Sequence, residues 1–573
     1  MQSNKSVFLR SIDNPAISTQ YSAHTTATTV ARFSPSGYYV ASGDVSGTVR
    51  VWDCVGEGAT KGEYQIIGGR INDLAWDGDS QRIIAVGDGK EKKGHCITAD
   101  SGNTVGEISG HSSQINSVSI RQQRPIRAAT GGDDTSLGFF HGVPFKFNTS
   151  SRNHDRYIYG VAFSPDGASI VSVGADRKIW LYDGKTGEPK RQIGEGEHKG
   201  SIFSVSWSND SKHFATSSAD QTVKIWDAEA GKAAQTWRMG EEGSVSVPDH
   251  QVGVVWPAGR SDGLIISLNL AGDLNYLSQG SPKPHRVVQG HQKNITSIAA
   301  SSSTAKSQTL FTGSSDGRIC SWETSSGLAE TVDGESHTNY VSGIATSPEG
   351  TIYSVGWDDT LRSVDPNAKT FTGSSSKTDG QPKGVATANG CALVATHKSI
   401  SIFKSGQLQK ELPTSFSPTA IAASKDLIVV GADDNTLHIY SSSLSPITHI
   451  PDPSSLITTL SFSPTSSLLA VGFSSGKISV YDCKTWEISI SRWSAHTGRV
   501  TSIAWHDGGK FAVSSGLDTN IFVWSVENPG KRIKVGGAHK EGVNGVAWGV
   551  GGKVVVSVGG DAAVKRWRVE GVL

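Results

Sequence analysis

Cysteine is scarce in this sequence and is never paired at short spacing. The five cysteines are scattered along the 573 residues, and none belongs to a CxxC pair. An odd number of cysteines without metal-ligand spacing argues against both a disulfide framework and a structural zinc site. The composition therefore predicts a reduced, intracellular protein with no bound metal.

Long apolar runs and an excess of either charge are also missing. No apolar stretch approaches the roughly 20 residues that cross a bilayer. The first residues, MQSNKSVFLRSIDNPAI, lack the apolar core of a secretory signal. Lysine plus arginine and aspartate plus glutamate each number 53. A balanced chain has no net field to attract nucleic acid or an acidic membrane surface, so neither is an expected partner.

The residues that are abundant favour strands and tight turns. Glycine occurs 66 times, well above its usual share of roughly 7%, and serine, threonine and valine are also abundant. This mixture suits short strands and is poor in helix formers. A chain of 573 residues is too long for one hydrophobic core. We therefore expect an all-β protein of at least two domains.

A repeat of about 43 residues runs through the chain. In its clearest copy, His198 is followed 22 residues later by Asp220 and six residues after that by Trp226. The same spacing recurs in three further units, which begin at His154, His496 and His539. This period matches the roughly 40–45 residues of a WD-repeat blade. Such blades are four-stranded sheets that pack face to face around an axis.

The spacing of the repeat has a physical reason. The aspartate caps the turn between the second and third strands, and the histidine bridges to it through a serine or threonine. The tryptophan buries its ring and donates its N–H. Degenerate copies depart from this pattern; in the first, Ser46 stands where the turn aspartate is expected. The regular recurrence of histidine and aspartate indicates a structural role and not a catalytic triad.

The number of repeat units predicts two seven-bladed β-propellers in tandem. Seven units precede about residue 325 and six follow it. We expect residues 21–330 to form the first propeller and residues 331–573 to form the second. The second ring is then one unit short. Because residues 1–20 contain SVFLRSID, which has the pattern of a late strand pair, we expect this segment to close the second ring against its last blade, and to do so incompletely.

Several motifs in the first half resemble the actin-interacting protein 1 family. They are YYVASGDVSGTVRVWD, VGDGKEKKGH, RPIRAATGGDD, GVPFKFN, FSPDG and YDGKTGE, in this order. The resemblance implies a monomeric, non-enzymatic cytoplasmic protein of the actin cytoskeleton, including cortical actin patches. It also implies binding to actin filaments decorated with ADF/cofilin, and promotion of their severing, disassembly and barbed-end capping. Members of this family carry more strands before the segment that matches SVFLRSID, which fits the expected incomplete closure.

Four residues match family positions that are associated with disassembly. Glu91 lies in the GDGKEKKGH loop, and Asp133 is the first acid of GGDD, whose second acid, Asp134, has the spacing of the structural turn residue. Phe147 belongs to PFKF, near the expected upper end of an outer strand, and Tyr157 opens the next blade where the family has phenylalanine. Blade topology predicts that all four lie on one face. Exposed aromatics flanked by acids suit a protein-binding hot spot.

Other functions are less well supported by these residues. The GDGKEKKG loop has no GK[ST] ending and lies between strands, so it is not a phosphate-binding loop. No metal-ligand cluster or set of channel acids is visible, and no catalytic residue or cofactor is expected. The principal alternative is a generic WD-repeat scaffold, such as a substrate-recognition subunit of a ubiquitin ligase. That function would need the propellers but not the GDGKEKKGH and PFKF segments.

Overall fold

The chain is built from short antiparallel strands. The computed structural model describes residues 5–14, 17–56, 58–240, 243, 245–301, 308–451 and 455–570. These residues form twelve four-stranded sheets, one three-stranded sheet and one two-stranded sheet. The helical segments found in these ranges are two 3-10 turns, Val247–Asp249 and Val550–Gly552. No helix in the same ranges is long and apolar enough to span a membrane. The expected all-β class is confirmed.

The chain divides into two compact units, with the boundary between Val288 and Gln289. Unit 1 contains the two-stranded sheet and six four-stranded blades, which we number one to six in chain order. Its strands are β1 (Val7–Arg10), β2 (Ser18–Tyr21), β3 (Thr28–Phe33), β4 (Tyr39–Asp44), β5 (Thr48–Asp53), β6 (Thr60–Gln65), β7 (Ile71–Trp76), β8 (Arg82–Gly87), β9 (Gly94–Thr98), β10 (Thr104–Glu107), β11 (Ile115–Ile120), β12 (Arg127–Gly132), β13 (Leu137–His141), β14 (Lys146–Ser151), β15 (Ile158–Phe163), β16 (Ser169–Gly174), β17 (Ile179–Asp183), β18 (Pro189–Ile193), β19 (Ile202–Trp207), β20 (His213–Ser218), β21 (Thr222–Asp227), β22 (Lys232–Arg238), β23 (Gln251–Val255), β24 (Ile265–Asn269), β25 (Leu274–Leu277) and β26 (Arg286–Val288).

Unit 2 contains seven blades, numbered seven to thirteen, of which the last has three strands in the described residues. Its strands are β27 (Ile295–Ala300), β28 (Thr309–Ser314), β29 (Ile319–Glu323), β30 (Ala329–Thr331), β31 (Val341–Thr346), β32 (Ile352–Gly356), β33 (Thr360–Asp365), β34 (Thr370–Lys377), β35 (Pro382–Ala388), β36 (Cys391–Thr396), β37 (Ser399–Lys404), β38 (Gln407–Pro413), β39 (Pro418–Ala423), β40 (Leu427–Ala432), β41 (Thr436–Ser441), β42 (Pro446–Pro451), β43 (Ile457–Phe462), β44 (Leu468–Phe473), β45 (Lys477–Asp482), β46 (Ile488–Ser494), β47 (Val500–Trp505), β48 (Phe511–Gly516), β49 (Ile521–Ser525), β50 (Arg532–Val535), β51 (Val543–Trp548), β52 (Val554–Gly559) and β53 (Val564–Arg568).

Each blade runs from a buried inner side to an exposed outer strand. In blade four, the second strand is buried at five of its six positions, because blades pack against both of its faces. In blade three, the outer strand β14 is exposed at four of its six positions. The first strands contact one another in sequence around each ring, which makes them the innermost strands. This gradient explains why valine, isoleucine and alanine dominate the second strands and polar residues the fourth.

The boundary between the two rings differs from the one expected at residues 330 and 331. Strand β27 packs against β51, so blade seven closes the ring of unit 2 with blade thirteen. Leu310 of blade seven and Val556 of blade thirteen share one buried cluster. The expected boundary was wrong because the repeat pattern is the same in every blade and does not reveal which blade closes which ring. Among the described residues, the seven blades of unit 2 form a ring that is closed by the contact of β27 with β51.

The segment 1–20 also lies elsewhere than expected, as far as its described residues show. Strand β1 pairs with β2 in unit 1, from Val7 opposite Tyr21 to Arg10 opposite Ser18. Val7 and Tyr21 pack with Trp52 of blade one, and Asp13 forms an ion pair with Arg260 of blade six, at 3.0 Å. The two-stranded sheet therefore takes the seventh position in the ring of unit 1. The predicted pairing of this segment with the last blade of unit 2 was wrong.

The residues predicted to form the structural network of the repeat interact in both units, but their order differs from the expected one. The histidine contacts the aspartate directly and not through a serine or threonine, and the hydroxyl instead links the histidine to the tryptophan. In blade five, His198 Nδ1 lies 2.8 Å from Asp220 Oδ2 and His198 Nε2 lies 2.8 Å from Thr216 Oγ1. Trp226 Nε1 donates to the same hydroxyl at 2.8 Å. In blade one the partner of His24 is Asp44, at 2.9 Å, and not a residue at position 46. Ser46 instead donates its hydroxyl to the carboxylate of Asp44, at 2.6 Å.

Candidate functional site

Each blade has one end that carries the turn between its second and third strands, and we call this the upper end. Glu91 lies there, in the connection between β8 and β9 of blade two, and its side chain is exposed. The neighbouring Lys92 approaches Glu107 at 3.9 Å, which is a loose surface ion pair. Glu91 is thus available to a partner, in a loop that also carries positive charge.

The two adjacent acids of blade three have different environments. Asp134 Oδ1 lies 2.9 Å from His111 Nδ1 and accepts a hydrogen bond from Ser136, so it is the turn residue of the structural network, as predicted. Burial alone would raise the pKa of Asp134, but the hydrogen bonds from His111 and Ser136 outweigh burial and lower it. Asp133 lies outside this network.

Asp133 is nevertheless held in place at the upper end. Gln114 donates its amide to one carboxylate oxygen of Asp133 at 2.6 Å, and Asn116 donates to the other at 2.7 Å. Both donors are neutral amides, so they orient the carboxylate without compensating its charge. The side chain is partly exposed. It can therefore present a fixed negative charge to a partner.

Tyr157 lies at the upper end of blade four, immediately before the first strand. Its ring is 49% exposed and contacts Tyr159 edge to face, with centroids 6.4 Å apart. Its backbone is fixed, because Ala175 donates its N–H to the Tyr157 carbonyl at 2.8 Å. A half-exposed aromatic ring on a fixed backbone is a suitable anchor for protein recognition.

Phe147 is exposed, but it does not lie near the upper end of its strand. The register pairs Phe147 with Phe140, whereas Leu137, next to the upper turn, pairs with Ser151. Phe140 is three residues below Leu137 on β13, so at about 3.3 Å per residue Phe147 lies roughly 10 Å below the upper end. The prediction of a single face for all four residues was wrong here, because β14 starts at the lower turn and Phe147 is its second residue.

The Phe147 ring packs between two neighbours on the outer flank. The ring is 42% exposed and contacts Phe140 edge to face at 5.8 Å. On its other side lies Gly110, where a Cβ would come within 2.5 Å of the ring and where the φ of +94° disfavours any other residue. Phe145 of the same motif is buried instead. The structure thus brings Glu91, Asp133 and Tyr157 to one end and leaves Phe147 on the adjoining flank.

The sequence interpretation missed four residues that shape this region. Gln114 and Asn116 orient Asp133, and Tyr159 and Phe203 form a ring pair beside Tyr157, with centroids 5.4 Å apart. A signal for the ring pair exists in the repeat. The second residue of the first strand is asparagine in blades two and three but aromatic in blades four and five.

The chemistry of the region suits a binding surface. In the part of the chain that the structure describes, no group of three or more histidine, cysteine, aspartate or glutamate side chains is placed to hold a metal ion. The histidine–aspartate pairs are used within the blades, and their histidines are buried. In contrast, the fixed carboxylate of Asp133 is partly exposed, and Phe147 and Tyr157 are exposed, an arrangement that suits recognition of another protein.

The repeats and the rings define the chain as a WD-repeat β-propeller protein, a class that typically acts as a non-enzymatic scaffold. The family described as WD domain, G-beta repeat matches residues 16–53, 145–183, 189–227, 282–323 and 530–568. The family described as Vps8 beta-propeller matches residues 405–531. These matches fall in both units.

Full-length relatives identify the family more closely. The chain is 36% identical to actin-interacting protein 1 of Drosophila melanogaster, over 92% of this chain and 86% of that protein. It is 38% identical to WD repeat-containing protein 1-B of Xenopus laevis, over 93% of this chain and 88% of that protein. The chain is 44% identical to an uncharacterized WD repeat-containing protein of Schizosaccharomyces pombe, over 93% of this chain and 89% of that protein. The chain belongs to the actin-interacting protein 1 family.

Proposed function

We propose that this chain binds actin filaments decorated with ADF/cofilin and promotes their severing, disassembly and barbed-end capping. Its contact surface consists of Glu91, Asp133 and Tyr157 at the upper end of blades two to four, and of Phe147 on the flank of blade three. The protein acts as a monomer in the cytoplasm, at cortical actin patches and other actin structures. It needs no cofactor.

The observation that carries this proposal is the presence in unit 1 of an exposed aromatic residue and a fixed acid at the upper end, with a second exposed aromatic residue on the adjoining flank. Phe147 and Tyr157 are each more than two-fifths exposed, although aromatic rings of this size normally contribute to a core. Asp133 is oriented by two amides. The name of the Drosophila relative states that it interacts with actin, and the same kind of partner is proposed for this chain.

Co-sedimentation with actin filaments, with and without cofilin, tests the proposal. Truncating an aromatic anchor at a protein interface can cost more than about 2 kcal/mol, whereas acids at the rim mainly affect association rate and salt dependence. We therefore expect Phe147→Ala and Tyr157→Ala to reduce cofilin-dependent disassembly most. Tyr157→Phe, which keeps the ring, should be nearly neutral. Glu91→Ala and Asp133→Ala should have smaller effects that shrink as salt rises.

Matched controls are available in the same unit. Tyr38 is 58% exposed and lies in the turn between β3 and β4, at the lower end, so Tyr38→Ala should leave activity unchanged. Asp79, exposed in the turn between β7 and β8, is the control for Glu91. If the wild-type protein does not bind cofilin-decorated filaments, or if Tyr38→Ala is as damaging as Tyr157→Ala, the proposed function or its surface is wrong.

A further inference from the structure

A belt of side-chain hydrogen bonds joins the inner strands of neighbouring blades. In blades two and three, the second residue of the first strand donates to the carbonyl of the first residue in the next inner strand. Asn72 donates to Ile115 at 2.9 Å, and Asn116 donates to Ile158 at 3.0 Å. Blades one, seven, eleven, twelve and thirteen make the same contact through Thr29, Thr296, Thr458, Thr501 and Asn544.

Blades four and five place aromatic residues at this position of the belt. Tyr159 and Phe203 occupy it, and their rings lie 5.4 Å apart at 37°. Neither side chain is an amide or a short hydroxyl that could bond the next carbonyl in the same way. Both rings are partly exposed. A position that joins neighbouring blades in seven other blades therefore carries partly exposed aromatic surface here.

The ring pair is continuous with the proposed contact surface. Tyr159 contacts Tyr157 at 6.4 Å, so three rings lead from the exposed upper end of blade four to the inner strand of blade five. Asp133 lies close enough to affect the phenol: burial first, and then the charge of Asp133, raise the pKa of Tyr159. The phenol is thus neutral at pH 7, and the charged group with the largest effect on it is the carboxylate of Asp133.

We propose that Tyr157, Tyr159 and Phe203, with Asp133, receive a lysine or arginine side chain of the cofilin-decorated filament. Aromatic faces attract a cation through their quadrupole. The carboxylate of Asp133 supplies the opposite charge, because it is held by two amides and forms no ion pair with a lysine or arginine among the described residues. The inference rests on the proposed function and adds to it the chemical class of the group that is recognised. Tyr159 and Phe203 are specificity-determining residues in this interface.

The belt itself provides a substitution that separates binding from folding. Tyr159→Asn introduces the residue that blades two and three carry at this position, and Phe203→Thr introduces the residue of blades one, seven, eleven and twelve. Asparagine and threonine form the interblade bond in seven other blades, so we expect thermal stability to change little, and the thermal midpoint of each variant is measured beside its binding. Binding to cofilin-decorated actin filaments should weaken about fivefold or more, and the decrease of affinity with salt should become less steep. Tyr159→Phe should retain wild-type binding.

Four outcomes distinguish this inference from the proposed function. If Tyr157→Ala weakens binding but Tyr159→Asn and Phe203→Thr do not, the inner pair is not part of the interface and the inference fails alone. If Tyr159→Asn weakens binding but leaves the salt dependence unchanged, the recognised group is not a cation and the inference is overturned. If wild-type protein does not bind cofilin-decorated filaments, the proposed function fails first. Weaker binding together with a reduced salt dependence supports the inference.

Discussion

The amide of Asn544 donates hydrogen bonds to the carbonyl oxygen of Ile295 at 2.7 Å and to Oδ1 of Asn294 at 2.6 Å. These contacts join the last blade of unit 2 to its first, and they close the ring. Leaving the buried carbonyl without a partner costs about 1–3 kcal/mol. Asn544→Ala should therefore lower the thermal midpoint and increase amide hydrogen exchange in β27 and β51. Asn544→Thr, which copies four other blades, is the control and should be close to wild type.

The position of blade seven makes a second prediction, on fragments. A fragment that begins at Gln289 contains all seven blades of unit 2, whereas one that begins at position 331 lacks the blade that packs against β51. The longer fragment should unfold cooperatively in urea, as followed by tryptophan fluorescence and circular dichroism together. The shorter fragment lacks Leu310, so residues that pack with Leu310, such as Val556, should become exposed and the fragment should aggregate. Equal cooperativity of the two fragments would contradict the boundary found here.

These two predictions illustrate what the repeat pattern could and could not reveal. The pattern predicted the strands, the blades and the pairing of His198 with Asp220, because those depend on contacts within one repeat. It could not assign blade seven, since ring closure depends on contacts such as Asn544 with Ile295, 249 residues apart. Likewise, the distance of Phe147 from the upper end depends on the direction and register of β14, and the family motif alone does not reveal either of them.

The adjacent acids of blade three should respond differently to substitution. Asp134→Ala would leave the buried His111 without its carboxylate partner, at 2.9 Å, and breaking such a buried pair costs about 3 kcal/mol. We expect a clear loss of stability, measured by the urea midpoint. Asp133→Ala removes only contacts with Gln114 and Asn116, which lie near the surface, and should change stability by less than about 1 kcal/mol while weakening filament binding. The reverse order would show that Asp133 is the structural residue.

The stability of unit 2 should depend on pH through its buried histidines. Burial lowers the pKa of His337 and of His496, and it lowers the pKa of His291 to about 4. An unfolded histidine titrates near 6.5. Below that pH the unfolded chain therefore binds protons that the folded chain excludes. Stability is then fully present above about pH 6.5 and is lost as the pH falls toward the folded values.

His291 allows this dependence to be assigned to one residue. Its Nε2 lies 2.7 Å from Thr312 Oγ1, while its Nδ1 is buried without a hydrogen-bond partner among the described residues. The charge of Asp316 favours the protonated form, but burial outweighs it and lowers the pKa. Each pH unit below the unfolded pKa of His291 costs roughly 1.36 kcal/mol of the free energy of unfolding, so at pH 5 the lowered pKa of His291 accounts for a loss of about 2 kcal/mol relative to neutral pH. We expect the urea midpoint of wild-type protein to fall between pH 7.5 and pH 5. In His291→Gln, which is less stable at both values, the fall should be smaller by that amount. If the urea midpoint falls by the same amount in His291→Gln as in the wild-type protein, His291 is not excluded from protonation in the folded protein.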